Sequence, residues 1–148
     1  MNPTSRLAAL LPLVLTLSGC ISEYDDVSAT QQHREVVGEV CTVRSPLNAF
    51  GVTLKIEKNK TTDLIALTSL NLSGPEFTFS ARLPALTTLE VIAVRMCNNC
   101  PFEKRTEYQV NVQPRPEIFG TTPVYMNLRR IEPSAMQCKT LRGSSGAA

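Results

Sequence analysis

The sequence contains no tryptophan and a single histidine, and its aromatic residues amount to only 5%. A core made from it must rest on aliphatic side chains, each small in area, so crosslinks would matter to its stability. It also lacks an excess of one charge: 15 basic residues face 13 acidic ones, a net of +2. That balance excludes the clustered basic footprint of a nucleic-acid-binding domain. No window carries a helical period of useful length, and no internal repeat or low-complexity segment is present. There is no Gly-x-Ser-x-Gly elbow, no phosphate-cradling glycine loop and no His-x-x-Glu-His-type pair. The lone His33 is the one base available to a Ser-His-Asp arrangement, and it falls in a polar stretch with nothing to orient it. Paired carboxylates remain as a route to glycoside hydrolysis, but Glu90, Glu103, Glu107, Glu117 and Glu132 read as solvent-side strand positions or loop residues. The chain is therefore expected to be no enzyme, with no cofactor and no bound metal.

Long apolar runs are missing as well. The longest, Leu7 to Thr16, spans about ten residues, half of the roughly 20 needed to cross a bilayer. With Arg6 before it, the run has the make-up of a signal-peptide core. It leads into Leu17-Ser18-Gly19-Cys20, which resembles the lipobox of bacterial lipoproteins. The resemblance covers residues 1–20 only and implies cleavage before Cys20 and lipidation of that cysteine. Residues 1–19 would be lost, leaving 14 basic and 13 acidic residues. Each buried acyl methylene contributes about 0.8 kcal/mol, so a multiply acylated Cys20 would be a lasting tether to the membrane. The family's sorting pattern takes Asp at the next position as an inner-membrane signal. Ile21 there implies the outer membrane, with the domain facing the periplasm.

Between the anchor and the first strand, residues 20–34 are polar, with Glu23, Asp25 and Asp26, and read as a flexible tether. From Glu35 onward the period is two. Strands are expected over 35–44, 51–57, 62–69, 77–83, 87–96, 104–113 and 123–131, separated by turn residues such as Arg44-Ser45-Pro46-Leu47-Asn48 and Asn71-Leu72-Ser73-Gly74-Pro75. The alternation is plainest in 51–57, where Val52, Leu54 and Ile56 share one face. About seven short antiparallel strands over residues 35–140 predict a small, single, disulfide-stabilised all-β domain, a barrel in preference to a sandwich. Residues 141–148, ending Gly-Ser-Ser-Gly-Ala-Ala, read as a disordered tail.

Cys41, Cys97, Cys100 and Cys138 form an even set in a chain bound for an oxidising compartment, so two disulfides are the expected state. Asn98-Asn99 suits a two-residue hairpin turn, which would bring Cys97 and Cys100 together and leave Cys41 to Cys138. Crossed pairing stays open. Two sharper readings compete. Cys97-Asn98-Asn99-Cys100 faintly resembles a thioredoxin-type redox site, although Pro101 follows where such a site has a helix; Lys104 and Arg105 lend weak support by favouring a thiolate. Structural zinc would need a second pair of closely spaced cysteines, which is absent.

Residues for binding a partner are fewer. Phe50, Phe102, Phe119 and Tyr125 fall in or beside turns, with Arg129 and Arg130 near the last strand. Such residues are common in interfaces, yet the phenylalanines could equally plug the ends of a small barrel. The sequence thus predicts an outer-membrane lipoprotein that presents a β-domain to another envelope protein, for instance within a secretion or transfer assembly. A periplasmic thiol–disulfide protein using Cys97 and Cys100 is the alternative.

Overall fold

The computed structural model describes residues 23–55, 59–100 and 104–141. Cys20 and the lipobox, Phe102, Glu103 and the tail beyond Leu141 lie outside them. Nine strands run in chain order: β1 (Tyr24–Asp26), β2 (Val40–Val43), β3 (Leu47–Val52), β4 (Leu64–Thr68), β5 (Phe77–Leu83), β6 (Thr88–Cys97), β7 (Arg105–Gln113), β8 (Val124–Met126) and β9 (Met136–Gln137). They form one sheet in the order β5-β3-β4-β8-β7-β6-β2-β9, with β1 paired to β6. The all-β class and the disulfides agree with the sequence. The closed barrel does not: the sheet is open, its two ends are β5 and β9, and it folds over its own core in a sandwich-like way. Nor is it wholly antiparallel, since β4 and β8 run parallel through Ile65↔Val124 and Leu67↔Met126.

β6 is the longest strand and organises the rest. One of its edges carries β7 along nearly its whole length. The other is shared, with β2 on Thr88–Glu90 and β1 on Arg95–Cys97. Between those two stations the chain leaves and returns. Val27 N donates to Val94 O at 2.9 Å, and Gly38 N donates to Val91 O at 2.7 Å. Gly38 takes φ +89°, a left-handed conformation open to glycine, where the segment turns back toward β2. A register shift between Val91 and Ala93 lies across from this excursion.

Side chains of both halves of the sheet meet in one cluster. Leu47 and Ala49 of β3, Ile65 and Leu67 of β4, Leu89, Val91 and Val94 of β6 and Val110 and Val112 of β7 surround Phe119. This aliphatic core is what period two and the low aromatic content predict. Phe79 of β5 packs toward Phe119, with ring centroids 6.3 Å apart, and its ring lies over Gly51. A Cβ on residue 51 would come within 2.4 Å of that ring, so the glycine is required by close approach.

Several expected boundaries move. The supposed tether contains β1, and His33 is buried, so within it residues 23–34 are packed onto the domain rather than free. The first strand contracts to Val40–Val43 because residues 28–37 form turns. The strand expected over 51–57 lies earlier, at Leu47–Val52, and takes in part of the predicted turn. Leu54, apolar by pattern, is 72% exposed; its N–H donates to Asp63 Oδ2 at 2.7 Å and the chain bends there. The last strand ends at Met126, after which Asn127 caps a short 3-10 turn. Leu141, assigned to the tail, belongs to the core.

Candidate functional site

The pairing is Cys41–Cys138 and Cys97–Cys100, with Cα atoms 4.4 and 5.6 Å apart. The hairpin argument reached this pairing by a route the structure corrects. Cys97 ends β6, opposite Arg105 at the start of β7, so the connection spans residues 98–104 and is no two-residue turn. Asn98 and Asn99 are instead occupied by β1. Asn98 N donates to Glu23 O at 3.3 Å, Asn99 Oδ1 accepts from Glu23 N at 2.6 Å, and Asn98 Nδ2 bonds Asp25 Oδ2. The two residues between the cysteines therefore clasp the N-terminal strand.

Around that clasp, period-two alternation on β1, β6, β7 and β8 sets four polar and aromatic side chains on one face. Arg95 Nε and Nη2 both donate to Glu107 Oε2, at 2.9 and 2.6 Å. The Arg95 guanidinium is also sandwiched between the rings of Tyr24 and Tyr125, 4.0 and 3.5 Å from their centroids. Tyr24 Oη donates to Glu107 Oε1 at 3.3 Å. Burial pushes the Tyr24 phenol above its ordinary pKa, the Glu107 carboxylate pushes in the same direction, and Arg105 and Arg95 oppose them. Next along β7, Arg105 Nη2 reaches Cys100 Sγ at 3.0 Å and Tyr24 Oη at 3.4 Å. That contact sets a cation against the Cys100 sulfur, which is held in the disulfide with Cys97. Cys97 is fully buried, however, and among the described residues no helix N-terminus addresses either sulfur.

The other expected residues are dispersed. Glu90 lies opposite Asn111, Glu107 is committed to Arg95, and Glu117 and Glu132 are exposed in separate turns, so these four glutamates are set in different surroundings. Phe119 is core, and Phe50 is buried against Phe77 with centroids 5.2 Å apart. Arg129 and Arg130 lie on the exposed turn after β8. The Arg130 carbonyl accepts from Thr68 Oγ1 at 2.8 Å and from Ser69 N at 2.9 Å. Glu39 approaches Cys41 and Cys138, a grouping that could suggest a metal. Both sulfurs are spent in the disulfide, and the Glu39 carboxylate accepts from the backbone of Thr140 and Leu141. It acts there as a cap on the end of the chain.

The Tyr24–Arg95–Tyr125 stack was hidden in the sequence, because its members come from three strands. Only parity hinted at it, by placing Arg95, Arg105 and Glu107 on matching faces once β6 and β7 pair. No protein-family model, no curated protein and no solved structure matches this chain.

Proposed function

We propose that the chain is a lipid-anchored protein of the outer membrane whose β-domain docks another envelope protein and carries out no catalysis of its own. The observation that carries this reading is the closeness of an acylatable cysteine to a pinned strand. Cys20 follows the signal-like run, and β1 begins at Tyr24. Four residues extend to about 14 Å at most. A lipid on Cys20 would therefore hold the Tyr24 end of the domain against the bilayer surface, periplasm-facing, with the remainder of the sheet presented outward. Two disulfides fit the same oxidising compartment. The contact between Arg105 and Cys100 supports a second reading, a thiol–disulfide protein in which one thiolate of a dithiol reductant attacks Cys97 Sγ, Cys100 leaves as the thiolate, and the reductant's second thiolate displaces Cys97 as the reductant closes to its own disulfide.

Intact mass of the mature protein, with and without graded reduction and thiol blocking, tests both. Removal of residues 1–19, acyl mass on Cys20, release to the soluble fraction by Cys20→Ala, and four thiols that appear only under strong reduction are the outcome expected of the anchored module. Two thiols released under mild reduction would favour the second reading. An unmodified Cys20 would overturn the anchor.

A further inference from the structure

The two ends of the open sheet are treated differently. β9 has two residues, and it is tied down by the neighbouring Cys138–Cys41 disulfide and by the Glu39 carboxylate on Thr140 and Leu141. β5 has seven residues and pairs on one side only, with β3. Among the described residues, no backbone group of 78–83 bonds outward from the sheet. Soluble β proteins guard such edges with lysine, proline, an inward charge or a covering segment. Phe77–Leu83 contains no lysine or proline; its one charge is the outward Arg82, and the register shift beside Gly51 is confined to the Phe77–Phe79 end, which leaves Ser80–Leu83 regular. An open groove of about 510 Å³ with mixed polar and apolar walls lies over β3 and β5, lined by Asn48, Phe50, Asn71, Leu72, Ser80, Ala81 and Arg82.

We propose that the β5 edge is the docking site for an extended segment of the envelope partner, which adds to the sheet as a further strand. The inference rests on the docking-module reading above. Strand addition takes affinity from main-chain bonds and specificity from alternate side chains that enter pockets on one face. Here the pockets are two residues apart on β5. Ser80 is small and exposed and lines the groove together with Leu72, so the segment's residue beside Ser80 borders that groove and is apolar. Arg82 is exposed and makes no ion pair among the described residues, so the residue beside it is acidic. The partner segment thus carries an apolar residue and a carboxylate at positions i and i+2. The same charge argues against a second copy as the occupant. Antiparallel self-pairing centred on Ser80 would set Arg82 beside Thr78, and β5 has no carboxylate to offer.

The test uses the full chain in detergent and two end-blocked nonapeptides of alternating Thr and Val. One carries Leu and Asp two positions apart, the other Leu and Lys. The expected result is new amide-exchange protection over 78–83 with the Asp peptide and binding about tenfold weaker with the Lys peptide. Arg82→Glu, an exposed substitution, reverses that preference. Equal binding of both peptides, protection elsewhere, or protection that rises with protein concentration in the absence of peptide would each overturn the proposal, the last by identifying a self-interface. A photocrosslinking residue at Ser80 or Arg82, and separately at the exposed Leu54 and Ile118, divides this failure from failure of the broader reading. In cells, crosslinks from Ser80 or Arg82 support the edge, and crosslinks from Leu54 or Ile118 alone overturn it while leaving a docking module. None from any position overturns both.

Discussion

The two disulfides close the same sheet at different scales. Cys41–Cys138 spans 97 residues and lies at the apolar core, where it joins β2 to the residues just after β9. Cys97–Cys100 spans three residues at the tip of β6 and is surrounded by asparagines, two arginines, a glutamate and a tyrosine. By chain entropy, closing a loop near 100 residues stabilises by up to about 4.7 kcal/mol, and closing one of four residues by roughly 2 kcal/mol. The long bridge holds the domain together. The short one shapes a surface and fixes β1, the strand nearest the proposed anchor.

The difference predicts unequal damage. Cys41→Ala with Cys138→Ala is expected to lower unfolding free energy by about 4 kcal/mol, a large share of the 5–15 kcal/mol typical of a domain. Denaturant melts would show it as a lower midpoint with a steeper slope, because the unfolded chain without the crosslink is more expanded and exposes more surface. Equal stability with and without the bridge would mean that β9 and the Glu39 cap secure that end unaided. Cys97→Ala with Cys100→Ala should cost about half as much, roughly 2 kcal/mol, because its loop is short. Its signature is local. Exchange of the Val27 and Ser28 amides, bonded to Val94 O and Asp26 Oδ1, should accelerate well before the core amides of β6 and β7 respond. If β1 stays protected in that variant, pairing with β6 alone holds the strand and the clasp is dispensable.

How much of this contrast could be read from the residues follows from locality. Phe77–Leu83 and Arg105–Gln113 were legible from long alternation, and Thr88–Cys97 from a run apolar on both sides and rich in β-branched residues, each bounded by Pro, Gly or Asn. β1 was not, since Tyr24-Asp25-Asp26 has neither apolar alternation nor β-branched residues; its place is set by Asn98, Asn99 and Ser28 from outside. Closure was equally illegible. Whether a curled sheet seals into a barrel depends on whether its end strands meet, and β5 and β9 carry no local sign that they do not. Of the site, parity set Glu107 on the face away from Tyr108 and Val110, and Arg105, noted only for its charge, lies 3.0 Å from Cys100 Sγ. Tyr24 and Tyr125 could be added only once the register of four strands was known.

The smallest expected effect also separates the two ends, through their tyrosines. Tyr24 lies beside the short bridge. Tyr108, on β7, is held above its ordinary pKa by burial and then by the Glu39 carboxylate, the same group that caps the chain next to the long bridge. In the unfolded chain both phenols titrate near 10.0, and folding raises both. Each therefore contributes stability that is complete below about pH 10 and is lost as pH climbs through the folded values, because the unfolded state releases its protons first. A fall in stability above pH 10 is expected, shallower in Tyr24→Phe, which keeps only the share due to Tyr108. Tyrosinate absorbance followed against pH sharpens the assignment. Opening the clasp with Cys97→Ala and Cys100→Ala frees β1, so one phenol should titrate closer to 10.0 while the Tyr108 phenol does not move. Movement of both would show that the two ends of the sheet are coupled through β6 and β7 and yield as one unit.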